Sequence, residues 1–526
     1  MTKILYVIPP YFDVKNNDKK TVLPVFTIPY GIMSIDTYIK KNVENVETQL
    51  FDFNVKIKKG NNNCLPEKFT EKLTSFKPDV VAISALFNTS YQYLERISVT
   101  VKMLLDDVYI IAGGGLPTNL YSKILEECPW IDAICYGEGE IPMVEFLHSE
   151  MSYNFEHQSW ITRKSLEEKQ KPLHTFVYNL DDIPTFDYSL VNLDDYNNRS
   201  LDKGAYTNKR EMSIHTSRGC PFDCVFCANG KLHGKKVRYM SVEKVIDEVD
   251  NMIKLGMTTL MIEDDHFLSN VKRTKEILIR LQFYNIKIEF PNGLAVYAID
   301  EEIGELLKEA GCSVVALAIE SGSDYVLKEI INKPLKVSMI KPAVEILRKN
   351  DIQVHAFIVI GLPGEKQSHR LETLNMLKNV GFDWVHFFIA IPIVGSRLYD
   401  ICVENGYLLD DNMNNHIISK ANIKTPDIDP IKIEKEAYLM NLDVNFVHNY
   451  NIRIGQYEKA MTFFENIVKK YPDHAFAWYY LATCQYILDN MNSTKNSIST
   501  KNFAKFEKIV NNDEEWNNYT KYFNII

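Results

Sequence analysis

The chain has 526 residues, of which 46% are hydrophobic and 24% charged, with a formal net charge of −10. That length allows about three domains, and the composition is that of an ordinary globular protein, not of a disordered or fibrous one. Net acidity argues against broad nucleic-acid binding, and no uninterrupted apolar run approaches the roughly 18 residues of a membrane span. Met1-Thr-Lys leads directly into the strand-like run Ile4–Ile8 and has no signal-peptide layout. Cysteines 64, 128, 135, 312, 402 and 484 have no disulfide-framework spacing, so a reducing cytoplasm is expected.

From residue 1 to about 150, apolar runs alternate with amphipathic stretches. The runs are Ile4–Ile8, Thr48–Phe53, Val80–Leu86, Tyr109–Ala112 and Ala133–Tyr136, with helices predicted near 31–41, 66–76, 90–105, 118–127 and 140–149. This pattern predicts an α/β fold with an open, doubly wound parallel sheet. Such sheets bind ligands at the carboxyl ends of their strands, near the switch point. The residues at those ends are Pro9-Pro10-Tyr11, Ser84, Gly113-Gly114-Gly115 with Pro117-Thr118, and Gly137-Glu138-Gly139-Glu140. Glycine there lets a large ligand approach the backbone; each cluster alone also reads as a turn.

Residues 151–210, with the acidic, proline-punctuated Leu180-Asp-Asp-Ile-Pro-Thr-Phe-Asp-Tyr-Ser, read as a linker. After the strand-like Met212–Thr216 comes Cys220-Pro-Phe-Asp-Cys224-Val-Phe-Cys227, a C-x3-C-x2-C set on one short loop. Three thiolates suit a soft metal centre, but four close a structural zinc site or a conventional iron–sulfur cluster. A cubane on three thiolates keeps one iron open for a substrate or cosubstrate. A zinc site completed by His215 or His233 is the alternative. The basic run Lys231 to Arg238 reads as a solvated flank.

Strands are predicted at 212–216, 258–263, 287–291, 313–319, 353–360 and 384–391, with helices at 241–255, 300–310, 337–350 and 366–379 between them. Six βα units over about 211–405 predict an incomplete (β/α)6 barrel whose chemistry collects at the carboxyl face. Polar residues follow its strands: Glu263-Asp264-Asp265-His266, Glu320-Ser321-Gly322-Ser323-Asp324, Gly361-Leu-Pro-Gly364-Glu365 and Ile391-Pro392-Ile-Val-Gly395-Ser396. Taken singly, these are also good caps and turns. His266 and His386 are candidates to face a substrate, or else rim and core residues.

Beyond about 425 helices dominate. Gly455-Gln-Tyr457-Glu-Lys-Ala460 with Phe464, then Tyr471-Pro472 and Ala477-Trp478-Tyr-Tyr-Leu481-Ala482, resembles tetratricopeptide hairpins over residues 425–526. Fewer than three repeats are legible, so the unit is expected to pack on the barrel, with a protein-docking groove as a further reading. Asn-rich 489–499 reads as a connector.

The cysteine spacing, Phe226 and the preceding strand resemble the radical S-adenosylmethionine (SAM) superfamily, and Gly113–Thr118 with Gly137–Glu140 resembles the cobalamin-binding domain that precedes the barrel in one subgroup. The resemblance implies a 4Fe–4S cluster on Cys220, Cys224 and Cys227, whose open iron chelates SAM and splits it to a 5′-deoxyadenosyl radical. It further implies that Glu263 or Asp264 meets the SAM ammonium. This chain lacks the two glycines usual before that acid, which leaves the choice between them open. Glu320 and Ser321 would contact ribose and carboxylate, and Gly361 would border the adenine. Cobalamin would sit against Pro10, Ser84, Gly113, Gly114, Pro117, Thr118, Gly137, Glu138 and Gly139. No histidine precedes His148 and the Asp-x-His-x-x-Gly motif is absent, so cobalt would have an empty, hydrated or weakly ligated lower face. A carrier that keeps the fold and has lost the cofactor is the alternative.

The expected function is a cobalamin-dependent radical SAM methylation of an unactivated carbon, or of phosphorus, in a small-molecule, lipid or peptide substrate. An electron donor such as flavodoxin or ferredoxin would serve it. The alternatives are a cyclisation or rearrangement with the same cofactors, and a non-catalytic scaffold acting through the helical tail. Methylthio transfer is disfavoured because the N-terminal region lacks a second three-cysteine set.

Overall fold

The computed structural model describes residues 1–11, 27–58, 65–149, 155–196, 210–410, 420–491 and 498–525. In the first part, β1 (Thr2–Ile8), β2 (Val46–Asp52), β3 (Val80–Ser84), β4 (Tyr109–Gly113) and β5 (Ala133–Cys135) form a parallel sheet in the order β2-β1-β3-β4-β5. Successive side chains of β1 enter different cores: Leu5 and Val7 join one, Ile4, Tyr6 and Ile8 the other. Helices therefore cover both faces, which is why the strands read as continuous apolar runs. The strand order reverses between β1 and β3, so the switch point lies at Pro9–Tyr11 and Ser84–Phe87.

The stretch 155–196, read from sequence as a linker, is bound into both bodies. β6 (Trp160–Ile161) adds an antiparallel edge to β5. Phe155 stacks on Phe146 at 4.8 Å. Val177, Leu180, Ile183, Phe186, Tyr188, Leu193 and Tyr196 are buried in the core of the second part. A polar-looking segment thus carries an apolar stripe that the acidic residues between its members concealed. Positions 197–209 of that reading lie outside the described residues.

The second part contains β7 (Glu211–Ile214), the two-residue strands β8 (Ser217–Arg218) and β9 (Arg238–Tyr239), then β10 (Thr259–Ile262), β11 (Lys287–Glu289), β12 (Val314–Glu320), β13 (Gln353–Ile360) and β14 (Trp384–Ile389). Sheets β7-β10-β11 and β12-β13-β14 are wholly parallel, and the parallel bridges Ile288–Cys312 and Leu294–Leu317 join them into a six-stranded partial barrel. Met212, Ile214, Leu260, Ile262, Ala356 and Ile358 pack outward with the helices. By the strand period of two, Ser213, Glu263, His355, Phe357 and His386 face the lumen.

An incomplete barrel leaves an open edge, which invites unwanted pairing. At β14 the C-terminal region covers it. The Asn445 side chain accepts from Val385 N–H and donates to Val385 C=O, both at 2.8 Å, as a neighbouring strand would. Trp384 stacks on Phe463 at 5.5 Å, and Phe446, Phe464 and Phe476 form the helical core behind it. Helices Tyr457–Lys470, Ala475–Met491 and Ile498–Asn512 follow in succession. The asparagine-rich connector falls mostly on 492–497, outside the described residues.

A second tie runs from β13 to helix Pro430–Leu442. Gly361 N–H donates to Glu365 Oε2 at 2.7 Å, Arg370 Nη1 lies 3.7 Å from that oxygen, and Arg370 Nε lies 2.9 Å from Glu436. Burial pushes the Glu365 carboxyl up to about 7, against the Gly361 N–H and Arg370.

Two outcomes follow from these ties. Asn445→Ala should leave the Val385 groups unpaired at a cost of about 1–3 kcal/mol each, read as a lowered thermal midpoint; an unchanged midpoint would show the edge is held otherwise. Because the Glu365 pKa is raised in the fold, its stabilising contribution is complete below about 4.5 and is lost as pH rises through about 7. Glu365→Gln should therefore gain on the parent by on the order of 3 kcal/mol between pH 4.5 and 8. Equal pH profiles by denaturant titration would contradict this.

Candidate active site at the mouth of the barrel

β8 and β9 close the base of a loop, 219–237, that carries all three cysteines of the motif. Gly219 has φ +96°, and a Cβ there would sit 2.8 Å from Lys236 O and 3.0 Å from Gly234 O, so only glycine lets the two arms approach. The loop is pinned by main-chain bonds: Val225 N–H to Ile331 O at 2.9 Å and Leu398 N–H to Val225 O at 2.7 Å. Cys220, Cys224 and Cys227 are free thiols, the first two half-buried and the third exposed. Burial pushes all three thiols up, Cys224 to about 11, with Lys333 opposing. Loading a metal centre here would release protons. Phe226 packs, half-buried, against the barrel core. Lys333, which the sequence reading did not single out, is paired with Glu320 at 3.0 Å. Its nearest sequence signal is a lysine ten residues past Ser323, beyond the intervening helical segment Val326–Ile331.

Among the described residues no group of three His, Cys, Asp or Glu converges on a single metal ion. The candidate fourth zinc ligands are also engaged: His233 Nδ1 lies 3.3 Å from Glu138, and the His215 ring packs 4.5 Å from Tyr30. Three thiols on one pinned loop suit a multi-iron cluster better than one ion.

The acidic run after β10 divides its labour. Asp264 accepts from Thr216 N–H at 2.5 Å, Thr216 Oγ1 at 2.6 Å and Ser217 Oγ at 2.6 Å. It is spent on clasping the strand that leads into the loop, which corrects its reading as a cosubstrate contact; burial pushes its carboxyl up to about 6. Arg273 holds the same segment, donating to Thr216 O at 2.9 Å and Met240 O at 2.8 Å. Glu263 stands on the lumen side beside Ser213. Asp265 accepts from Gly219 N–H at 3.3 Å and Asn229 Nδ2 at 2.6 Å. His266 bonds Tyr297 and packs near Phe222; burial lowers it to about 4, so the ring is neutral. His386 Nε2 lies 3.2 Å from His355 Nδ1. Ser321 Oγ is 3.2 Å from Thr373 Oγ1 and accepts from Ser323 N–H, bracing its turn. Gly361 has φ +85°.

The glycine-rich rim of the first part is used differently from the sequence reading. A Cβ on Gly114 would meet Ala85 O at 2.7 Å, one on Gly137 would meet His174 Nδ1 at 2.6 Å, and one on Gly139 would meet Ile35 Cδ1 at 2.8 Å. At these three positions glycine is required by the close approach of protein; Gly113 and Gly115 have only ordinary contacts, Cys135 Cβ at 3.7 Å and Leu86 O at 3.5 Å. Thr118 Oγ1 accepts from Gly137 N–H at 3.2 Å, with Pro117 buried beside it. Glu138, read as a cofactor contact, faces Arg238 at 2.6 Å and Arg218 at 3.3 Å instead. The basic run containing Arg238 is correspondingly not a solvated flank at that residue, which is buried.

At the switch point, Pro10 O accepts from Ser90 Oγ at 3.0 Å, and Ser84 ends β3. Leu86 and Phe87 follow it and are 47% exposed each. Two large apolar side chains uncovered at a ligand-binding rim fit a flat macrocycle such as a corrin. Asn88 Nδ2 donates to Pro392 O at 3.4 Å, and a Cβ on Gly395 would meet Asn119 Cγ at 2.4 Å. The rim therefore faces the barrel mouth at the β14 loop.

Residues 214–377 match the radical SAM superfamily, and residues 21–147 match the B12 binding domain family. An uncharacterized methyltransferase of Pyrococcus horikoshii is 30% identical over 344 residues, covering 65% of this chain and 72% of that one. The cytidylyl-2-hydroxyethylphosphonate methyltransferase of Streptomyces wedmorensis is 26% identical over 467 residues, covering 80% and 87%. The cobalamin-dependent SAM radical enzyme OxsB, solved with aqua-cobalamin and SAM, shares the fold with a TM-score of 0.63 at 14% identity, over 99% of this chain and 83% of that one. With both domains in one chain and the cysteine loop at the barrel mouth, this protein belongs to the cobalamin-binding branch of the radical SAM enzymes.

Proposed function

We propose that the protein methylates an unactivated carbon, or phosphorus, of a small-molecule, lipid or peptide substrate held between the rim and the barrel mouth. The observation that carries this reading is the apposition itself: the B12-binding rim at Asn88 and Asn119 touches the β14 loop of the barrel that bears the three cysteines. Bound together, cluster, SAM and cobalamin supply a hydrogen-abstracting radical and a transferable methyl group. The chain's own residues bind and orient. Cys220, Cys224 and Cys227 hold the cluster, with Phe226 behind them. Glu263, the acid left on the lumen side, takes the SAM ammonium. Glu320, with Lys333 at 3.0 Å, is positioned for the ribose and carboxylate, and Gly361 for the adenine. Leu86 and Phe87, with Ser84 and Pro10 of the same switch point, would support the corrin.

We assign residues 1–150 to the carrier, 151–210 to the connector, 211–405 to the barrel and 425–526 to the tetratricopeptide-like tail. An electron donor such as flavodoxin or ferredoxin in the cytoplasm completes the system. No helix among the described residues is long and apolar enough to cross a membrane.

Reconstituted anaerobically, the triple variant Cys220→Ala, Cys224→Ala, Cys227→Ala should lose its iron and form no 5′-deoxyadenosine from SAM; formation at the parent rate would overturn the assignment. With methyl-labelled SAM and a substrate, label should appear in the product. Substrate consumption with unlabelled product would replace methylation by a cyclisation or rearrangement.

A further inference from the structure

Arg218 and Arg238 stand directly opposite each other in the β8–β9 ladder that closes the cysteine loop. Like charges in that register repel, and both residues are buried. The carboxylates that meet them come from the carrier. Arg238 grips Glu138 with both terminal nitrogens, at 2.9 and 2.6 Å. Arg218 Nη1 lies 2.9 Å from Glu140 and 3.3 Å from Glu138, and its Nη2 donates to Ser34 Oγ at 2.8 Å. Ser34 Oγ in turn donates to Glu140 at 2.6 Å. Two guanidinium groups and two carboxylates balance, with side chains only 3–6% exposed. Val177 and His233 complete the shell, at 3.3 Å each from Glu138, and Phe176 lies under the Arg238 guanidinium at 4.5 Å.

We infer that Glu138 and Glu140 are positioning residues: they latch the carrier to the base of the cysteine loop and so set the separation between carrier rim and cluster. This rests on the reading that the two cofactors face each other. Glycine at 137 and 139 serves the same end, because a side chain at either position would strike His174 or Ile35 and push the two acids away from the arginines. Glu138 has both oxygens occupied by protein, so it is not a corrinoid ligand. Removing one charge from a buried network leaves its partner uncompensated. The loop base should then open locally while the rest of the barrel holds.

The test uses the full chain with Glu138→Gln, Glu140→Gln and, as a mild variant that keeps every charge, Ser34→Ala. In cofactor-free protein, amide hydrogen exchange at 217–218 and 238–239 should rise about tenfold in the Gln variants and about threefold in Ser34→Ala, with β13 unchanged. In protein loaded with cluster and cob(II)alamin, the relaxation enhancement of the cob(II)alamin electron-spin signal by the reduced cluster should fall severalfold at unchanged iron and corrinoid content. Unchanged exchange at the loop base would overturn the latch. Corrinoid content falling in Glu138→Gln with exchange unaltered would make Glu138 a cofactor contact instead. Should the parent protein take up no corrinoid, the functional reading fails, while the exchange measurement still decides the latch. Should the Gln variants not fold, Ser34→Ala decides it alone.

Discussion

The fold turns on a conflict of charge at the foot of one loop. A two-residue ladder forces two arginines into the same cross-strand position, where they repel, and buries them where water cannot screen them. Carboxylates brought from the other domain, Glu138 and Glu140, relieve this. Burial alone would raise the Glu138 carboxyl, yet Arg218, His233 and Arg238 outweigh it and hold the group well below the usual carboxylate range. The cysteine loop is therefore well seated only when the carrier is docked. Domain apposition and metal-loop geometry become one property.

The same loop base is gripped from its other side by the barrel. Asp264 and Arg273 hold Thr216, Ser217 and Met240, so the strands entering and leaving the loop are fastened at both flanks. What faces the mouth and lumen is correspondingly small: the three thiols, the Glu320–Lys333 pair, Glu263 beside Ser213, and the lumen faces of β13 and β14. Most polar residues at the strand ends are spent on holding those few in place, as pre-organisation of a reactive site requires.

The C-terminal helices belong to this economy as well. Asn445 imitates a seventh strand on β14, and Arg370 with Glu436 connects the helical part to the turn at Gly361. The aromatic residues that resemble a repeat motif, Phe464 and Tyr480 among them, are core residues of that closure.

Local pattern alone determined the elements and the metal loop: Ile4–Ile8 as a strand buried on both faces, the six barrel strands within a few residues, and the cysteine triad by its spacing. These are short-range properties, set by side-chain period and by thiols a few residues apart. Which acids serve a ligand and which serve the protein was decided only by the tertiary structure. Glu138 and Asp264 read as ligand contacts because an acid at a strand end has no visible partner in one dimension; Arg238 lies 100 residues past Glu138, and Thr216 lies 48 residues before Asp264. The packing of the connector was hidden for a related reason, since Val177, Leu180, Ile183 and Phe186 recur every third residue among acidic ones and gain meaning only against the barrel they cover. A charge's role depends on what is buried beside it, and burial is a property of the folded chain.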